Sequence, residues 1–161
     1  LSVIDAAILA RVDALQMQYL AALDRHDLNG WLACFADDGS YTCITRENHD
    51  AGFPVALMLD DTGARLKDRV KFVNEVWSGT YEDYATRHFV QRLECTQAEN
   101  GRLKVLSNFL VSYTNRQGAS DILVAGVYED EVAFDTMGMR FAAKRAILDT
   151  VTTPRYLVYP V

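Results

Sequence analysis

Positive charge is in short supply: 16 Lys and Arg stand against 22 Asp and Glu, for a formal net charge of −6. A protein that tracks a phosphate backbone or an anionic lipid surface needs a basic field, so neither nucleic acid nor membrane is an expected partner. Glycine (9) and proline (3) are sparse, which excludes collagen-like and low-complexity chains. Cysteine is limited to Cys34, Cys43 and Cys95. An odd, widely spaced set is no disulfide framework, and a reducing, cytoplasmic setting is the expectation. Long apolar runs are missing too: Asp5, Arg11 and Asp13 break up the opening segment, so neither a signal peptide nor a bilayer span is expected.

What is present is the composition of a folded domain. Half of the 161 residues are hydrophobic and 24% are charged, and the length fits a single domain over residues 1–161. Ile4, Ile8, Val12, Leu15, Tyr19, Ala22 and Leu23 form the stripe of an amphipathic helix over 2–23. Leu28, Trp31, Leu32 and Phe35 repeat at helical spacing, predicting a second helix over 27–36 that ends in the turn chemistry of Ala36-Asp37-Asp38-Gly39. Residues 40–45 read as a strand, and 46–60 as a long irregular loop holding a short strand near 55–59. Thr62 is a candidate helix cap, and Leu66, Val70, Val73, Val76 and Trp77 predict a third helix over 62–77.

Beyond Gly79 the pattern changes to sheet. Four β-rich runs, 86–96, 102–114, 120–134 and 139–150, are separated by turn signals, of which Asn100-Gly101 predicts a type I′ hairpin. Helices first and hairpin-linked strands afterwards imply an α+β fold with a mainly antiparallel sheet. The strands alternate poorly, with Leu106 and Leu110 opposing Leu103, Val105, Phe109 and Val111. Both faces of the sheet are therefore expected to be covered, one by helices and the other by sheet curvature or a partner chain.

Metal motifs are absent at the level of spacing. A Rieske cluster needs Cys-x-His and Cys-x-x-His pairs, but Cys34, Cys43 and Cys95 are followed two places on by Ala36, Thr45 and Gln97. No two cysteines have zinc-type spacing. His26, His49 and His88 are the minimum stock for a two-His-one-carboxylate iron site, whose spacing is not fixed. Gly-x-Ser-x-Gly and phosphate-loop patterns do not occur. Acid–base chemistry has candidates: a cone lined by His88, Asp38, Tyr41 or Arg46 would suit proton abstraction or dehydration, as in a stand-alone isomerase or dehydratase. Each of these residues also has an ordinary place in a turn, strand or loop edge.

Several segments, in order, resemble the small (β) subunit of aromatic-ring-hydroxylating dioxygenases. They are LDRHDLNGWLACFADDGSYTC, ARLKDRVKFV, TRHFVQRLECTQAENGRLKVLSNFLVSYTNR, GVYEDEV with RFAAKRAILDT, and TTPRYLVYPV, so the resemblance spans 20–161. It implies a cone-shaped fold of N-terminal helices on a curved sheet, shared with ketosteroid isomerase, scytalone dehydratase and nuclear transport factor two. It also implies a structural, non-catalytic subunit with no cofactor of its own. The Rieske [2Fe-2S] cluster and mononuclear Fe(II) would sit in a large (α) subunit, with electrons from NAD(P)H through separate reductase components and an α3β3 assembly. Arg69, Arg87, His88, Asn108, Arg145 and Asp149 match motif positions and are implied structural or interface groups. The short stretch before the motif region is similar to compact small subunits of benzoate-, anthranilate- and salicylate-type hydroxylases, implying an aromatic carboxylate such as salicylate or a benzoate analogue as the substrate of the complex.

Overall fold

The structure is a computed structural model that describes residues 4–136 and 138–161. Helix α1, Ala6–Asp24, begins where Asp5 accepts a hydrogen bond from the Ala7 amide at 2.7 Å, and it buries Val12, Leu15, Tyr19 and Leu23. Capping by a short acceptor satisfies one of the orphan amides of a helix start. The first residues of the expected 2–23 helix lie outside the described residues. His26 turns the chain with φ of 55°, and Asp27 caps α2, Leu28–Leu32.

The second helix is shorter than the expected 27–36. Phe35 already pairs with Phe141 in the sheet, as the first residue of β1, Phe35–Thr45. The Ala36-Asp37-Asp38-Gly39 segment, expected as a turn that ends the helix, instead sits inside β1. Pairing with the last strand resumes only at Ser40 opposite Ala143, so the turn residues loop out as a bulge. Bulges of this kind bend a strand and raise its twist.

The segment 46–60 is more regular than expected. Helix α3, Arg46–Asp50, is capped by Thr45, and β2, Met58–Asp60, pairs antiparallel with β1. Thr62 caps α4, Gly63–Lys71, through the Arg65 amide. The expected continuous helix to 77 instead changes to a π-helical stretch over Phe72–Val76. That widening accompanies the exposure of Phe72, Val76 and Trp77 while Val73 stays buried.

Four long strands follow: β3, Ala85–Gln97; β4, Leu103–Thr114; β5, Ser120–Asp135; and β6, Gly138–Leu148. The sheet order is β2-β1-β6-β5-β4-β3, antiparallel except that β1 runs parallel to β6. Parallel neighbours need a long crossover, which the three-strand meander between them provides. The β3–β4 hairpin is not type I′: Gly101 has φ of 79° but Asn100 does not have positive φ. Ala98 instead donates to Arg102 O and Gly101 to Ala98 O, the three-residue loop with a glycine bulge.

Helices α1, α2 and α4 contribute the helical side of the core and lie on one face of this curved sheet, giving the expected α+β cone. Its core is aromatic. Tyr19 meets Phe35, Tyr128 and Phe141 edge-on, Trp31 meets Phe35 and Tyr41 the same way, and Phe109 stacks on Tyr128 at 4.0 Å. The Tyr19 and Tyr41 hydroxyls both donate to Val161 O, at 2.8 and 3.0 Å, drawing the final segment into the core. A buried hydroxyl without such a partner would be costly.

Candidate functional site

Strand alternation sorts the site candidates between the two faces of the sheet. Thr86, His88, Val90 and Arg92 of β3 point toward α1, whereas Arg87, Phe89 and Gln91 point to the uncovered face. On the helix side, Asp24 at the end of α1 grips β3. Its Oδ1 lies 2.6 Å from His88 Nδ1 and accepts from Thr86 Oγ1 at 3.1 Å, and its Oδ2 accepts from the His88 amide at 3.2 Å. Burial raises the Asp24 carboxyl, but hydrogen bonds and charge from His88, with help from Thr86, outweigh it and hold the group below its usual value. An ionised carboxylate only accepts, so Nδ1 carries the proton. His88 Nε2 is buried without a hydrogen-bond partner, and the side chain is only 2% exposed.

The four acid–base candidates do not come together. Asp38 is exposed in the β1 bulge and Tyr41 is buried against Val161. Arg46 pairs with Asp149 at 2.9 Å. His88 is on β3, separated from β1 in the sheet by β4, β5 and β6. The acidic partner of His88 is Asp24, which sequence reasoning did not single out. A histidine with an orienting aspartate has the parts of a general base, yet here the free nitrogen is enclosed by the core.

The six interface candidates divide. Arg69 on α4 makes a bidentate pair with Asp60 of β2, at 2.9 and 3.2 Å, fastening the short edge strand to the helix. His88 is internal, as above. Arg87, Asn108 and Arg145 all belong to the uncovered face: Arg87 donates to Thr86 O, Asn108 to Gln91, and Arg145 to Glu129. Asp149 follows β6 and holds Arg46. Between these polar groups lie Phe89, 60% exposed, opposite the half-buried Leu110, and Ile122, 50% exposed, opposite Ser112. A groove of about 450 Å³ crosses the same face, lined by Ser40, Thr42, Lys104, Leu106, Glu129 and Arg145.

Sequence reasoning missed the most deeply buried charge among the described residues. Lys144 of β6 faces Asp130 of β5 directly across the ladder, with Nζ 2.9 and 3.0 Å from the two carboxylate oxygens and 3.1 Å from Gln16 Oε1 of α1. The rings of Tyr128, Phe141 and Tyr19 surround the ammonium at 3.9, 4.4 and 4.5 Å. Burial pulls Lys144 down and Asp130 up, and each partner's charge opposes the shift of the other. The available signal was phase: Lys144 alternates with Ala146 and Leu148, and Asp130 with Tyr128 and Val132, all of them buried.

No group of three or more His, Cys, Asp or Glu is placed to hold a metal among the described residues. The donor chemistry agrees. Burial pushes the Cys34 thiol up to about 11 and the Cys43 thiol up to about 12, whereas a cysteine ligand must be a thiolate. His26 stacks on Tyr159, His49 pairs with Asp50 and His88 with Asp24, on separate elements. The described residues do not fit an iron–sulfur or mononuclear iron centre.

Comparison with known proteins gives these features a family. Residues 20–155 match the family model described as the ring hydroxylating beta subunit. The small subunit of anthranilate 1,2-dioxygenase from Burkholderia cepacia is 32% identical over 91% of this chain and 90% of its own length. A beta subunit of the terminal oxygenase component of terephthalate 1,2-dioxygenase from a Comamonas species is 21% identical over 93% and 96%. Among solved structures, one described as the beta subunit of an aromatic-ring-hydroxylating dioxygenase from Novosphingobium aromaticivorans superposes with a TM-score of 0.80 at 29% identity, covering 92% of this chain and 94% of that one. The chain belongs to the family of ring-hydroxylating dioxygenase beta subunits and is a component of such an oxygenase complex. Among the described residues, no helix is long and apolar enough to cross a membrane.

Proposed function

We propose that this chain is a single-domain, non-catalytic assembly subunit of a cytoplasmic oxygenase whose substrate is an aromatic carboxylate, salicylate or a benzoate analogue. The observation that carries the assembly role is the uncovered sheet face. It presents Phe89, Leu110 and Ile122 between Arg87, Asn108 and Arg145, an apolar centre with a polar rim, which is the anatomy of a protein interface. Most polar groups on the opposite side are consumed in structural pairs, and the enclosed His88 ring leaves no route for a substrate to its free nitrogen. The iron-bearing large subunit and further copies of this chain are the partners, in an α3β3 arrangement. The substrates named for two relatives support the substrate class: anthranilate and terephthalate are both benzoic acids.

Co-expression with a large subunit carrying the Rieske motif tests this reading. A mixed complex should elute as one species and hydroxylate benzoate-type acids when supplied with reductase and NAD(P)H. Phe89→Ser should weaken retention of the partner while shifting the isolated chain's stability by no more than about 0.5 kcal/mol, as for other exposed positions. A chain that stays monomeric beside its partner, or a large subunit fully assembled and active without it, overturns the assembly role.

A further inference from the structure

Between α1 and the inner face of the sheet lies a cavity of about 350 Å³, at the small end of the range for ligand pockets. Its walls are apolar, formed by Val12, Val90, Val105 and Phe141. Burial defines a direction along it. Met17 and Asp13 at one end are about half exposed, while Gln16, Ser107 and Asp130 at the other are 7%, 1% and 3% exposed. The mouth is thus on the solvent side of α1 and the polar groups form the floor.

The floor is held rigidly but is not saturated. All three Lys144 protons are committed, two to Asp130 and one to Gln16 Oε1, so the lysine positions both groups and is not itself available. The amide nitrogen of Gln16 is buried with no partner. The Asp130 carboxylate, with two of its roughly four lone-pair sites used by Lys144, can accept further. One donor and one acceptor lie at the base of an apolar slot. Charges cancel there: Lys144 offsets Asp130 at the floor, and Arg92 offsets Asp13 at the mouth. An anionic ligand gains nothing from such a lining, whereas a neutral hydroxyl can satisfy both groups.

We propose that this cavity binds a small neutral ring compound carrying a hydroxyl group, a phenol or ring alcohol, whose O–H donates to Asp130 and whose oxygen accepts from the Gln16 amide. The site stands independently of the assembly role and differs in charge from the carboxylate substrate class assigned to the complex.

Titration of the full chain with phenol, toluene and benzoate, followed by protein-observed NMR, tests the site. Phenol should saturate with shifts centred on Gln16, Val90 and Val105, and should bind at least tenfold more tightly than toluene or benzoate. Met17→Trp, a change at a half-exposed helical position, should close the mouth and weaken phenol binding tenfold or more with the far-UV spectrum unchanged. Gln16→Met should abolish the preference for phenol over toluene. If that variant fails to fold, the Met17→Trp and toluene comparisons decide the matter. Absence of saturable phenol binding, equal binding of toluene, tighter binding of benzoate, or full binding by Met17→Trp overturns the proposal.

Discussion

Asp24 and His88, 64 residues apart in sequence, meet at 2.6 Å and tie the end of α1 to the edge strand β3. The same carboxylate takes the His88 amide and the Thr86 hydroxyl, so one side chain secures both the backbone and the side chains of the strand. Edge strands without such anchors fray or pair wrongly.

Asp24→Asn should therefore destabilise the chain by about 1–3 kcal/mol, the cost of leaving buried partners unsatisfied. The Asp24 carboxyl sits below its ordinary value of 3.8 when folded, so the unfolded chain takes up the proton more readily. Stability from this anchor is complete above the ordinary value and is lost as pH falls through the lower folded-state value. Denaturation from pH 7 to pH 2 should show an acid-side loss that is smaller in Asp24→Asn.

Lys144→Met should cost about 3–5 kcal/mol, because it strands a buried carboxylate and the Gln16 carbonyl. Adding Asp130→Leu should recover most of that loss, since burial disfavours both charges and the aromatic rings around them accept an apolar pair. Urea midpoints of the two single variants and the double variant measure the coupling.

Two glycines should respond differently to alanine. A Cβ on Gly126 would strike the carbonyl of Ile147 on β6, where only backbone can give way, so Gly126→Ala should cost about 2 kcal/mol or more. Gly101 faces open space but has φ of 79°, and its alanine variant should lose about 1 kcal/mol through backbone strain. Thermal melts of the two variants check the order.

Thiol labelling should distinguish the three cysteines. Cys34 and Cys43 are 1% and 0% exposed and their thiols resist ionisation, whereas Cys95 is only half-buried. Iodoacetamide at pH 8 should modify Cys95 alone in the folded chain and all three in 6 M guanidinium, as read by intact mass.

Local chemistry made much of this architecture legible. The α1 stripe, the Thr62 cap and the four long strands follow from periodicity and turn residues that act over a few positions. The same locality explains the misses. Phe35 continues the apolar spacing of α2, yet pairing with Phe141, 106 positions away, draws it into the sheet; the Asp37-Asp38-Gly39 turn then has nowhere to go but a bulge. Asn100-Gly101 forms a hairpin, but the strand register left room for a three-residue loop and only the glycine takes positive φ.

By itself, the sequence determined that the chain is acidic, lacks metal-ligand spacing, and orders helices before hairpin-linked strands, because composition and short-range periodicity are properties of the chain alone. The family motifs in it also determined the family. Only the tertiary structure decided that Lys144 is fully buried, that Asp24 is the partner of His88, and that Arg87, Asn108 and Arg145 share a face while Arg69 and His88 do not. These relationships join residues far apart in sequence, and their energies come from desolvation and charge pairing, which exist only after the sheet has closed over the helices.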